Sequence, residues 1–114
     1  MKIILLGNPL STNHIYKKSR FGIYMSKEGK VMKESYQWQA TSQFKGKLLT
    51  GNIEISVKLF FGDKRCRDID NFNKLWQDAL TGIVYKDDKQ IGKMTIEKLY
   101  SKENPRIEIS VIPT

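Results

Sequence analysis

The sequence predicts an α/β or α+β domain, a single mixed sheet of about five strands covered by two main helices, and three observations predict it. Ile53, Ile55, Val57, Leu59 and Phe61 alternate with Glu54, Ser56 and Lys58, the period-two signature of a strand with one buried face. Phe72, Leu75, Trp76, Ala79 and Leu80 fall at i, i+3, i+4, i+7 and i+8, one apolar face of a helix. Strand-like and helix-like segments are interspersed with no repeat, low-complexity tract or linker, so residues 1–114 read as one domain. A chain of this size buries roughly two-thirds of the surface it exposes when unfolded, enough for a core without staples.

In chain order, Ile3–Leu6 predicts a short buried strand, stopped by Gly7-Asn8-Pro9. The stretch "LSTNHIYKKSR" predicts a polar loop, and "FGIYM", Phe21 to Met25, a second strand. From Ser26 to about Lys45 the pattern turns helical: Met32, Tyr36 and Ala40 are spaced by four, with Val31, Trp38 and Phe44 assigned to the same broad side. Gly29 weakens its first turn and Gly46 is a natural terminator. After the alternating strand and the basic turn "GDKRCR", the second helix takes Asp70 as its N-cap and Gly82 as its stop. Lys93–Tyr100 and Arg106–Ile112 predict two final strands, joined by "SKENP" as a hairpin.

Twenty Lys and Arg against twelve Asp and Glu give a formal charge of +8 and a pI near 9.6. A balance this basic points to an anionic partner, nucleic acid first and an anionic membrane surface second. No long basic amphipathic helix with a clean apolar face is present, which disfavours the membrane. The apolar run in "MKIILLGNP" is too short for a signal-peptide core or a membrane span. Cys66 is the single cysteine, which excludes an internal disulfide and a Cys-rich zinc site and makes the cytoplasm the default compartment.

Against that charge, the acids of "RDIDNFNKLWQDAL" stand out. Each has an ordinary role open to it: Asp70 as an N-cap worth ~1 kcal/mol, Lys74 and Asp78 as a solvated i,i+4 pair, Asp87 and Asp88 as turn residues. Taken together they say more. Carboxylates at i and i+2 of an extended segment project to one side, so Asp68 and Asp70 would repel unless a cation lies between them. Mg²⁺ is satisfied by one or two carboxylates plus water and phosphate oxygens. Lys64, Arg65 and Arg67 would draw phosphate to the same spot, and Lys74, one turn beyond Asp70, would meet charge developing on phosphorus. An acidic pocket with a basic rim is what a metal-dependent phosphodiesterase needs. Spacing alone leaves open whether the Asp87-Asp88 pair returns to that pocket.

The segment "RDIDNFNKLWQDALTGIVYKDDKQI", Arg67 to Ile91, resembles the active-site segment of the RusA-type Holliday-junction resolvases. The family pattern, approximately R-D-x-D-N-x-x-K, then D-A-L-T, then D-D-x-Q-[IV], is matched in order over about 25 residues. "NPLSTNHIY" and "MSKEGKVMKE" carry a looser likeness. The resemblance implies a homodimeric, Mg²⁺-dependent endonuclease, with Mn²⁺ able to substitute, of the kind common in prophages. It would resolve four-way junctions by paired symmetric nicks, a metal-bound water attacking the phosphodiester. It implies Asp68, Asp70 and Asp88 as metal-binding acids, Asp88 rather than Asp87 because the family uses the second of the pair, and Lys74 as the catalytic lysine. Arg67 and Asn71 take supporting roles at phosphate or the helix start, and Asn13 is a DNA-contacting candidate. Lys17, Lys18, Arg20, Lys64 and Arg65, chosen for their charge and not from the resemblance, complete the candidate DNA-binding set.

Other residues invite other readings. His14, the only histidine, has no visible partner for general-base work and suits a DNA contact or loop hydrogen bond better. Cys66 has no Cys-His-Asn context. Trp38 and Trp76 fall on apolar faces and are assigned to the core, whereas Tyr16 and Tyr24 near the N-terminal cations suit stacking on unpaired bases. Asp87-Asp88-Lys89 contains a D-x-K pattern that would move the lysine assignment without changing the reaction class. Two other functions stay open: a non-catalytic branched-DNA-binding prophage protein, and a nuclease acting on flaps or forks.

Overall fold

The computed structural model describes residues Met1–Thr114. Its elements run β1 (Lys2–Leu6), α1 (Thr12–Ile15), β2 (Tyr16–Ser19), β3 (Gly22–Met25), α2 (Lys27–Gln43), β4 (Ile53–Phe61), a 3₁₀ turn (Ile69–Phe72), α3 (Lys74–Leu80), a second 3₁₀ turn (Asp88–Gln90), β5 (Ile91–Tyr100) and β6 (Arg106–Pro113). The α+β class holds, with the strands divided between a four-stranded mixed sheet, β1-β6-β4-β5, and a separate two-stranded hairpin, β2-β3.

The alternating strand forms as its pattern requires: Ile53, Ile55, Val57, Leu59 and Phe61 are all buried. They face the helices together with Ile107, Ile109 and Val111 of β6 and Ile3 and Leu5 of β1. Strand β6 is central, antiparallel to both neighbours, with Ile109 opposite Ile3 on one side and Val57 on the other. Strand β5 runs parallel to β4, Val57 opposite Ile96. The predicted hairpin between the last two strands is therefore not formed. Strand β4 lies between them, because β5 is reached by a crossover through α3, the connection that parallel pairing demands.

The polar stretch before Arg20 is more ordered than a loop. Ser11 caps the single turn of α1, and Tyr16–Ser19 pairs with Gly22–Met25, which takes the latter out of the main sheet. Helix α2 starts at Ser26, whose hydroxyl accepts from the Gly29 amide at 3.1 Å, and ends at Phe44. Its core stripe is narrow, Gly29, Tyr36 and Ala40. Trp38, two residues and so about 200° round from Tyr36, points outward and is 79% exposed, and Val31 is 62% exposed. Neither is core, a correction to the broad apolar side expected. Trp76 is fully buried. Gly29 serves packing: a Cβ there would stand 2.3 Å from Ile15 Cγ2.

Candidate active site

The acid–lysine segment sits where the chain leaves the buried end of β4 and turns back over the sheet. Asp63 anchors the departing loop. It accepts from Arg67 through both carboxylate oxygens, 2.7 and 3.1 Å, and from the Arg65 amide at 3.0 Å. The Arg67 guanidinium beside it holds the Asp63 carboxyl well below the usual carboxylate range. Arg67 also lies over the Phe61 ring at 4.5 Å, and its carbonyl accepts from Lys98 Nζ at 2.7 Å. Its guanidinium is thus engaged within the fold, the anchor of the loop. Arg65 extends into solvent, 79% exposed, and Lys64 lies over Tyr100 at 4.9 Å. Arg65, Cys66 and Arg67 form one wall of an open pocket of about 410 Å³, with Ser11 and His14 opposite. His14 is paired with Glu28, a partner the sequence did not disclose.

Asp68, not Asp70, caps the first 3₁₀ turn: its Oδ1 accepts from the Asp70 amide at 3.2 Å. Asp70 lies inside the turn, so the expected extended i,i+2 arrangement is replaced by a capped one. Both carboxylates remain exposed and face no ion-pair partner within 4 Å. Asn71 follows, half-buried; Asn73 then bridges the 3₁₀ turn and α3, donating to the Ile69 carbonyl and accepting from the Trp76 indole.

Lys74 is the first residue of α3. Its ammonium lies 3.4 Å from Asp78 Oδ1 and 5.9 Å from the centre of the Tyr16 ring. The Tyr16 hydroxyl donates to the other Asp78 oxygen. Burial, with that bond and the Asp78 charge, pushes the Tyr16 phenol up, so it stays a proton donor at any ordinary pH. Asp78 therefore positions both groups. The sequence showed only its i,i+4 spacing from Lys74, and no local signal linked it to Tyr16, 62 residues away. Tyr16, expected to stack on bases, is instead committed to this cluster.

Of the second acidic pair, Asp87 is used locally. It caps the second 3₁₀ turn by accepting from the Lys89 amide at 3.0 Å, and its own amide donates to Gln90 Oε1 at 2.8 Å. The Lys89 amide lowers its pKa. Asp88 beside it is exposed, and its charge, with that of Asp78, adds to the burial that raises the Tyr85 phenol. The structure thus places Asp68 and Asp70 at the head of α3 and Asp88 beyond its far end. No three His, Cys, Asp or Glu side chains of one chain are grouped to hold a metal ion. Asp68, Asp70 and Asp88 are thus not preassembled as one cluster; the exposed pair Asp68 and Asp70 has the donor chemistry that suits a hard divalent cation. Of the candidate DNA-contacting positions, Asn13 stands exposed on α1, Lys18 exposed and Lys17 half-buried on β2, and Arg20 exposed at the hairpin turn over Phe21.

A basic α+β domain that displays two exposed carboxylates at the head of α3, and there a lysine held by Asp78, has side chains suited to phosphodiester chemistry. Comparison with known proteins makes the class specific: residues 7–112 match the family model for endodeoxyribonuclease RusA. The chain belongs to the RusA family of endodeoxyribonucleases. It is 29% identical over 113 residues to the crossover junction endodeoxyribonuclease of Enterobacteria phage 82, covering 95% of this chain and 91% of that one. It is 27% identical over 109 residues to the crossover junction endodeoxyribonuclease RusA of Escherichia coli K12, with the same coverage. A 44-residue stretch is 43% identical to the uncharacterized protein YqaN of Bacillus subtilis, spanning 39% of this chain and 30% of that protein. No helix is long and apolar enough to cross a membrane.

Proposed function

We propose that the protein is a homodimeric, Mg²⁺-dependent DNA endonuclease that resolves Holliday junctions by paired symmetric nicks and works in the cytoplasm. The observation that carries this is the intact Arg67-Asp68-Ile69-Asp70-Asn71 run, ending in Lys74, displayed at the exposed head of α3 in a chain that matches the RusA family from residue 7 to 112. Asp68 and Asp70 would hold the cation, Mg²⁺ or Mn²⁺, with Asp88 as the third acid. When bound, it would offset phosphate charge and activate water for attack on phosphorus. The three acids are not preassembled as one cluster in the chain, so Asp88 is the member of the set that depends most on the bound cation. A four-way junction has two-fold symmetry, which suits a two-fold pair of sites.

The chain's own residues have separable tasks. Asp68 holds the turn while presenting its second oxygen. Lys74, oriented by Asp78, supplies positive charge where negative charge builds in the transition state. Arg65, Lys64, Lys18, Arg20, Lys17, Asn71 and Asn13 would contact the DNA backbone, with Arg67 shaping the loop that carries two of them.

The test is cleavage of a synthetic four-way junction, a flap and a linear duplex with Mg²⁺. Asp70→Asn should abolish junction cleavage and leave binding in EDTA intact. Cutting by that variant at the wild-type rate would remove Asp70 from the metal set. The separation of Asp88 favours one other reading, a branched-DNA-binding protein without activity; it is established by a salt-sensitive gel shift with no nicking under any divalent metal.

A further inference from the structure

The two edges of the main sheet are treated differently. At β1, helix α2 supplies the missing strand with side chains. Gln43 accepts from the Ile4 amide at 2.8 Å and donates to the Ile4 carbonyl at 2.7 Å, and Gln39 accepts from the Leu6 amide at 2.7 Å. That edge is closed to a further strand. At β5 nothing comparable happens. Its pairing is with β4 alone, and no side chain hydrogen-bonds its backbone between Gly92 and Tyr100. Lys93, Thr95 and Glu97 are exposed on one face, and Met94 and Ile96 are left half-buried on the face toward the helices. Open edges of this kind are usually blunted by lysines, and Lys93 and Lys98 would serve.

The order of the charges gives β5 a different property. When a strand pairs antiparallel with its own copy about a two-fold axis, facing residue numbers sum to a constant, and both partners lie on the same face of the joined sheet. Centred on Thr95, the axis sets Lys93 opposite Glu97 of the second copy and Glu97 opposite its Lys93. Thr95 faces Thr95, and Met94 faces Ile96. Opposite charges, paired threonines and apolar pairs are the combinations that favour cross-strand pairing. Moving the centre one residue either way destroys this: about Met94, Lys93 faces Thr95, and about Ile96, Met94 faces Lys98. The β-bulge between Ile53 and Glu54 confines the irregular pairing to the start of β5 and leaves Lys93–Tyr100 regular.

We infer that β5 is the homodimer interface, joining two four-stranded sheets through an antiparallel β5–β5 pair centred on Thr95, with Lys93 of each copy against Glu97 of the other. This gives the proposed homodimer a surface and a register. Because it is read without DNA or metal, its failure would leave the nuclease assignment to the cleavage assay.

The test uses the whole chain carrying Cys66→Ser. Thr95→Cys should form a covalent dimer under mild oxidation, whereas Lys93→Cys alone should not, since its facing residue is Glu97. In equilibrium sedimentation Glu97→Lys should weaken dimerisation at least ten-fold by setting lysine against lysine, and the Lys93→Glu/Glu97→Lys exchange should restore it. These positions are exposed, and circular dichroism checks that each variant is folded. A wild-type monomer at all concentrations overturns the inference. So does a dimer in which Thr95→Cys fails to cross-link and Glu97→Lys dissociates no more readily than wild type.

Discussion

Two buried or half-buried hydroxyls show how differently one tyrosine can be used from another. Tyr36 is 1% exposed, and its hydroxyl has no hydrogen-bond partner. A buried group left unpaired costs about 1–3 kcal/mol, so Tyr36→Phe should raise stability by about 1 kcal/mol in urea unfolding with an unchanged m-value. Tyr16, by contrast, is bonded to Asp78, which also holds Lys74. Removing the lysine deletes charge from the proposed reacting centre and should slow single-turnover junction cleavage by about 10²-fold. Asp78→Ala leaves the lysine present but unaimed and should cost about ten-fold, with a stability loss near 1 kcal/mol for the lost side-chain bonds. Equal losses for the two variants would mean that Asp78 does more than orient.

At the level of elements, Asp68 joins an observed structural role to the proposed chemical one, and the two separate by substitution. Asparagine caps as well as aspartate does, whereas alanine removes the cap at ~1 kcal/mol. Asp68→Asn should therefore melt with the wild type and fail to cleave, while Asp68→Ala should both fail and melt earlier in a thermal scan. The motif that identified this residue was legible because its side chains are close in sequence; so were β4, the start of α2 at Ser26 and the stop at Gly82, whose φ of +88° suits glycine. What was not legible was pairing. Whether β6 lies beside β5 or across β4 is decided by the crossover of α3, a long-range event that strand periodicity does not encode. The α2 face was misjudged for a related reason: Val31 and Trp38 are apolar, but the helix buries only a stripe wide enough for Tyr36 and Ala40, and hydrophobicity alone does not say which stripe meets the sheet. The Asp68–Asp70 pair is legible from spacing, whereas Asp88 enters the set only through the family resemblance, because α3 and the turn after it separate the two in the chain.

For the molecule as a whole, an excess of eight positive charges over 114 residues is a statement about association, not about fold. The cations nearest the acids are partly committed, Arg67 to Asp63 and Lys74 to Asp78. Lys18 and Arg20 of the β2–β3 hairpin, with Lys17 beside them, make no ion pair and form a basic arm. Backbone contacts of this kind release counterions, so the logarithm of the binding constant should fall linearly with the logarithm of salt concentration, by about 0.9 per phosphate contacted. Replacing Lys18 and Arg20 by alanine, measured in EDTA by fluorescence anisotropy across a salt series, should lower that slope by about 1.8. The loss in affinity should be equal for a junction, a flap and a duplex, because phosphate contacts position DNA without reading its shape or sequence. A slope unchanged by the double replacement would remove the hairpin from the DNA surface, and a loss confined to the junction would make it a reader of branch geometry instead of a backbone grip.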